Sequence, residues 1–232
     1  MVREHDVWLR NPYITCMNII VFGPTGGTGR AVIAKMLADG HTVTAFARDP
    51  SKLSPAPGLT IVKGDAMNPA DVKHAIPGHD TVVISLGNPQ LAIAISLGAR
   101  RTTPADICEI GTRNIVAALG PTSPVRVLAV TSFGVGDTRD KMQIAFKIFS
   151  QLLLREAMAD KERQEAVLKA SDLDYVLVQP VGLTDTPASG DWVASAKGET
   201  RKMRISRKDV AAFIAEDIAN PLYHRQTVAL SG

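Results

Sequence analysis

Short apolar runs along this chain alternate with longer stretches in which apolar positions recur every three or four residues. Residues 18–22, Asn-Ile-Ile-Val-Phe, show no polar alternation and stop at a glycine, the pattern of a strand buried on both faces of a parallel sheet. Over 28–39, Val32, Ile33, Met36 and Leu37 fall at helical spacing, and Gly40 stands where a helix commonly ends. Residues 42–47, 59–62 and 81–86 predict three more strands, with a short helix over 70–76. Pro104 suits the first turn of a helix reaching about Leu119, since its missing amide hydrogen is not needed there. Strand five is predicted over 125–131 and strand six over 175–179, and the Gly- and Pro-free stretch 139–170 predicts one long helix or two abutting ones. Ser206, with Asp209 three residues on, predicts an N-cap and acidic first turn for a helix over 210–218, and 228–230 reads as a last edge strand. Strand and helix in alternation define an α/β fold, a doubly wound parallel sheet of Rossmann type in a single domain.

Composition narrows the picture. At 232 residues and 45% hydrophobic content, the chain can bury the core of one large α/β domain, and no shift in composition marks a second. The formal charge of +3 is spread without a dense basic run, so neither nucleic acid nor a membrane surface is an expected partner. Cys16 and Cys108 read as free thiols of a reducing compartment, and the first 16 residues carry no signal-like apolar run, which together predict a cytoplasmic protein. Those 16 residues read as a leader or arm, either a short native extension or a translation-start artefact ahead of Met17. Residues 17–232 then form the nucleotide-binding domain, with a substrate pocket built by its C-terminal part, in a monomer or small homo-oligomer.

The chemistry begins at Gly23-Pro24-Thr25-Gly26-Gly27-Thr28-Gly29, placed between a predicted strand and a predicted helix. Gly23 permits a tight turn, Gly26 lets backbone approach a pyrophosphate, and Gly29 allows close packing of helix on sheet. Amides at the helix start, including those of Thr25, Gly27 and Thr28, then face the anion. The competing reading is a plain glycine-rich turn. The tip of the second strand decides which dinucleotide is bound, and here it reads Ala47-Arg48-Asp49. Arg48, with Ser51 and Lys52, makes a cationic pocket for a 2′-phosphate and predicts NADP(H); the alternative is that Asp49 takes a ribose hydroxyl and the cations are merely solvated. Asp65 and Ala66 after strand three are placed at the adenine end, although Asp65 could equally cap the next turn. Leu86 and Gly87 after strand four should pass beside the cofactor.

The residues 23–29, Ala47-Arg48-Asp49-Pro50, Gly64-Asp65, Val130-Thr131-Ser132 and Gln179-Pro180 together resemble an atypical short-chain dehydrogenase/reductase, most nearly its NmrA-like and biliverdin reductase B (flavin reductase) branch. The helix segment Gly111-Thr112-Arg113-Asn114-Ile115-Val116-Ala117-Ala118 is also similar to that branch, and the likeness runs from Met17 to Gly232. It implies a Rossmann fold and NADP(H), with Thr131, Gln179 and Pro180 near the cofactor and Ser132 on the rim of the nicotinamide site. Members of the wider family use a Tyr-x-x-x-Lys pair, which this chain lacks. Its tyrosines are Tyr13, Tyr175 and Tyr223, followed four residues on by Met17, Gln179 and Thr227. Lys161 falls where the family lysine would stand, and Ala157 takes the tyrosine position.

Ser132 alone is a poor acid, so the site suits chemistry that asks little of a protein acid: hydride delivery to a flavin, a quinone or a conjugated tetrapyrrole. In that reading Ser132 and Lys161 are the catalytic candidates, and Phe133, Met142, Phe146, Met158 and Trp192 could line a flat apolar pocket for the small-molecule acceptor; as core residues they would be unremarkable. The alternative is a non-catalytic NADP(H)-binding sensor of NmrA type. A nucleotide-sugar epimerase or ketoreductase is disfavoured by the missing tyrosine. His5, His41, His74, His79 and His224 have no metal-ligand spacing, and Ser132 lacks a nucleophile-elbow frame.

Overall fold

The computed structural model describes residues 16–87, 103–142 and 154–232. In chain order its elements are β1 (Asn18–Phe22), α1 (Gly27–Ala38), β2 (Thr42–Ala47), β3 (Leu59–Lys63), α2 (Pro69–Ala75), β4 (Thr81–Ile84), α3 (Ile107–Leu119), β5 (Arg126–Val130), α4 (Arg155–Lys169), β6 (Tyr175–Pro180), β7 (Gly182–Thr184), β8 (Val193–Ser195), β9 (Arg204–Ser206), α5 (Arg207–Ala219) and β10 (Gln226–Ser231). Alternation within β1 sets the layers. Ile19 and Val21 join Val32, Ile33 and Met36 of α1 and Val210 and Ile214 of α5 in one core. Ile20 and Phe22 face the other way, into a core with Val72 of α2, Ile107 and Ile115 of α3 and Leu168 of α4. Each aliphatic side chain so buried contributes about 1.5–3 kcal/mol, and a strand covered on both faces needs apolar residues at every position.

The main sheet runs β3-β2-β1-β4-β5-β6-β10-β8. All its pairings are parallel except β10 with β8, and β7 pairs with β9 in a separate two-stranded sheet. Strand order reverses between β1 and β4, and ligands of such sheets bind outside the carboxyl ends of the strands at that crevice.

Two expectations are corrected and one is refined. Pro104 precedes α3 instead of opening it, because the α3 amides of Cys108 and Glu109 are bonded by the Asp160 carboxylate of α4, at 2.9 and 3.0 Å. The stretch 139–170, expected to hold one long helix or two abutting ones, starts in a 3-10 turn over 136–141 and carries α4 from Arg155 to Lys169, while 143–153 lie outside the described residues. Residues 228–230 are not at an edge. Val228, Ala229 and Leu230 are fully buried in β10, which is flanked by β6 and by the antiparallel β8. Being only three residues long, β8 leaves no periodicity to read.

Candidate functional site

A cavity of about 550 Å³ opens at the carboxyl ends of β1 and β4, within the size range of small-molecule sites. Its floor is the turn from Gly23 to Thr28. Gly23 has φ +83°, and a Cβ there would strike the Ser85 carbonyl. A Cβ on Gly29 would strike the Gly23 carbonyl, so the helix could not approach the strand. Gly26 differs: the nearest atom to its imagined Cβ is 3.7 Å away, leaving its face open to the cavity. It is also the N-cap of α1, with no side-chain cap and no acidic residue in the first turn. The helix start thus presents donors and a positive dipole end to an anion.

Beside this turn, Arg48 and Lys52 line the cavity. Asp49 is occupied locally: its carboxylate accepts from the Ser51 amide at 3.2 Å and the Ser51 hydroxyl at 2.6 Å, capping a short 3-10 turn over Pro50–Lys52. The Ser51 hydroxyl holds that carboxyl below its ordinary range. Lys52 Nζ lies 3.6 Å from Asp49, whereas Arg48 makes no ion pair with any described residue. Arg30, which sequence reasoning passed over, ties the two parts together by donating to the Thr25 and Lys52 carbonyls at 3.0 and 2.9 Å. Asp65, Ala66, Leu86 and Gly87 also line the cavity. Asp65 accepts from the Met67 amide at 3.0 Å, and Asn68 caps α2.

The far end is built of side chains that engage one another, leaving only Glu165 Oε2 buried without a hydrogen bond. Lys161 lines the cavity and uses all three ammonium donors, on the carbonyls of Leu86 (2.6 Å) and Val130 (2.7 Å) and on Gln164 Oε1 (3.0 Å). It therefore clamps the carboxyl ends of β4 and β5 together. Thr131, also lining, donates to Glu165 Oε1 at 2.6 Å. Gln179 donates to the same oxygen at 2.7 Å and to the Val135 carbonyl at 3.0 Å, while accepting from the Thr138 hydroxyl at 2.6 Å. Burial pushes the Glu165 carboxyl up from its ordinary range despite these donors and Lys169 at 3.8 Å. Cys108 is likewise pushed up, to about 11, by burial, which leaves it a thiol.

Several expected site residues lie elsewhere. Gly29 packs beneath the turn, and Ser51 is spent on Asp49. Gln179 belongs to the buried network around Glu165, and the Pro180 carbonyl accepts from the Phe133 amide. Ser132 is half-buried with its hydroxyl donating to the Phe133 carbonyl at 3.3 Å, away from the lining of this cavity. Phe133 is buried in the core with Met142 and Trp192 packed against the same cluster, and Met158 is half-buried outside the lining. Phe146 lies outside the described residues. Conversely, Thr103, Ile107, Leu183 and Arg207 line the cavity and were not foreseen. They come from segments far apart in sequence, joined only by the fold. Among the described residues no group of three or more His, Cys, Asp or Glu could hold a metal ion, and no helix is long and apolar enough to cross a membrane.

The uncapped helix start, the open face at Gly26 and an Arg48 with no ion pair among the described residues fit a dinucleotide, so fold and cavity together define a nucleotide-binding protein of Rossmann class. A family model described as NAD(P)H-binding matches residues 23–221, and the chain belongs to that family. An uncharacterised chloroplastic protein of Arabidopsis thaliana is 26% identical over 211 residues, covering 85% of this chain and 70% of that protein. An isoflavone reductase homolog of Zea mays is 36% identical over 84 residues, covering 32% of this chain and 27% of that protein. Among solved structures, the anaerobilin reductase ChuY of Escherichia coli O157:H7 superposes with a TM-score of 0.73 at 24% identity, covering 92% of this chain and 96% of that one. A short-chain dehydrogenase/reductase of Veillonella parvula in complex with NADP gives 0.75 at 17% identity, with 94% and 95% covered. These neighbours share the fold.

Proposed function

We propose that this chain is an NADPH-dependent reductase that passes hydride to a planar conjugated acceptor such as a flavin, a quinone or a tetrapyrrole-like molecule. One observation carries this reading: among the described residues no tyrosine lines the cavity, and Lys161, the lysine at its β4–β5 end, has every donor engaged. Reducing an isolated carbonyl calls for a tuned acid at the oxygen, whereas an acceptor that delocalises its new charge can take a proton from solvent. When bound, the dinucleotide supplies the hydride; the chain's own residues bind, orient and exclude water. The α1 amides hold the diphosphate. Arg48 and Lys52 take the 2′-phosphate, a choice supported by the local engagement of Asp49, whose Oδ1 is held by Ser51 while its Oδ2 faces Lys52 at 3.6 Å. Lys161 fixes the cavity by joining β4 to β5, and Thr131 lines the β5 end where an acceptor would be oriented, with Ser132 beside it just outside the lining, its hydroxyl able to turn from the Phe133 carbonyl. The names borne by the relatives, a reductase homolog and an anaerobilin reductase, support the class and favour a tetrapyrrole-like acceptor within it.

The test is NADPH oxidation at saturating cofactor against flavins, quinones, biliverdin and simple carbonyls, with Ser132→Ala in parallel. Turnover on a planar acceptor, reduced several-fold in Ser132→Ala, is the expected result. Tight NADPH binding with no turnover on any acceptor would instead make the chain a sensor of NmrA type.

A further inference from the structure

The turn at the cavity floor is covered by a cation that no glycine-rich fingerprint contains. Arg207 is the first residue of α5, directly after β9, and its side chain crosses Gly27. A Cβ on Gly27 would lie 2.8 Å from both Cδ and Nε of Arg207. Gly27 is not one of the three glycines that the turn, the pyrophosphate approach and the helix packing require; its missing Cβ makes room for this arginine. The placement is built from several directions. Helix α5 packs on α1, and β9 pairs with β7 in register up to Thr184 opposite Ser206. The Asp209 carboxylate accepts from the Ser189 and Gly190 amides at 2.9 and 3.0 Å, pinning the loop that follows Asp185.

Arg207 Nη1 donates to Asp185 Oδ1 at 2.7 Å. That partner is weakly committed, since the Asp185 side chain is 85% exposed while that of Arg207 is only 27% exposed. A pair with one member so fully solvated is worth little, about 0–1 kcal/mol. Charge-assisted bonds from a guanidinium to phosphate oxygens are stronger and geometrically matched. The first turn of α1 offers no carboxylate to compete, and Arg207 lines the same cavity as residues 23–28.

We propose that Arg207 is a diphosphate-binding residue that exchanges Asp185 for the dinucleotide's diphosphate, latching the C-terminal β7, β9 and α5 segment onto the cofactor. The proposal rests on the dinucleotide lying on the glycine turn. It assigns to the diphosphate a side chain from the opposite end of the sequence, in addition to the backbone amides of the turn. Exchange of partner also makes cofactor binding felt by the loop around Asp185, which loses its ion pair as the anion arrives.

Three ligands separate the outcomes by titration calorimetry: NADPH, ADP-ribose, which has the diphosphate without the 2′-phosphate, and adenosine 2′-monophosphate, which has the 2′-phosphate without the diphosphate. Arg207→Ala should weaken NADPH and ADP-ribose about tenfold or more, the size of one lost charge-assisted bond, and leave adenosine 2′-monophosphate within twofold of the parent. Asp185→Asn, which removes the competing carboxylate, should bind ADP-ribose at least as tightly as the parent, and Arg207→Lys should fall between parent and Arg207→Ala. Equal losses on all three ligands would show a displaced turn and overturn the assignment, as would unchanged ADP-ribose binding in Arg207→Ala. A parent that binds neither NADPH nor ADP-ribose would overturn the dinucleotide reading itself, and this proposal with it. A parent that binds both, matched by Arg207→Ala, sinks the Arg207 assignment alone.

Discussion

The two ends of the cavity are made differently. At the glycine turn the groups that meet a ligand are left open: α1 has no side-chain cap, Gly26 has no Cβ and nothing close by, and Arg48 has no carboxylate partner among the described residues. At the β5 end most groups are already engaged with one another, Lys161 by three acceptors and Thr131, Gln179, Thr138 and Glu165 Oε1 by a shared network, with Glu165 Oε2 alone lacking a hydrogen bond and facing Lys169 at 3.8 Å. Open donors bind, because a ligand that supplies the missing partner gains bonds that water gave up cheaply. Closed networks hold shape, because each removed member leaves a buried partner unpaired. A protein with this division should bind its dinucleotide firmly and do its chemistry mainly by position.

The sharpest way to break the comparison is at the open end. Gly23→Ala puts a side chain at φ +83° and against the Ser85 carbonyl; the strained backbone alone costs on the order of 1–3 kcal/mol. NADPH binding in this variant should be lost and its Tm lowered, as read by titration and thermal melting. Next in size is Lys161→Met, which takes its donor from the Val130 carbonyl and leaves the Leu86 carbonyl only the Cys108 thiol at 3.4 Å, and should cost about 1–3 kcal/mol for a buried group left unsatisfied. Chemical denaturation measures the loss, which should appear with or without NADPH if the residue is a clamp. Arg48→Ala should leave the fold intact and weaken NADPH about tenfold while changing NADH little. Equal losses on both cofactors would remove the 2′-phosphate pocket from the account.

The smallest effect probes the closed end by pH. Because burial raises the Glu165 carboxyl, the folded protein favours its protonated form. The associated stability is present below the ordinary carboxylate range and is lost as pH rises through the folded value. Glu165→Gln escapes that loss, so its Tm relative to the parent should climb as pH rises above the ordinary carboxylate range. A difference independent of pH would mean that the carboxyl is not strained by burial in the folded protein.

The same division explains what could be read from the residues alone. The glycine turn, Arg48 and the strands β1 and β2 depend on local backbone and on runs of five or six residues, so spacing and apolar pattern were enough to find them. The closed end was only partly legible. Lys161 was placed by its position in the chain, but Thr131 lies against Glu165 only because α4 packs beside β5, and no spacing in the sequence announces that contact. Aromatic and methionine positions such as Phe133 and Met142 are equally compatible with a pocket and with a core, and the packing put Phe133 in the core with Met142 partly buried against it. Pro104 was read as a helix start because local rules favour it there, whereas the true start is set by Asp160 from another helix. Arg207 was invisible for the same reason: it meets Gly27 through the fold, 180 residues away along the chain.

The central claim is that an open dinucleotide end feeds a positional, acid-poor acceptor end. Its most direct test is an anaerobic single-turnover experiment in which the protein, loaded with one equivalent of NADPH, is mixed with a flavin, a quinone or biliverdin. The account predicts loss of NADPH matched one for one by reduced acceptor for at least one of these, with simple ketones left untouched. NADPH that stays bound and unconsumed in the presence of all of them, or that is consumed by a simple ketone instead, would contradict it.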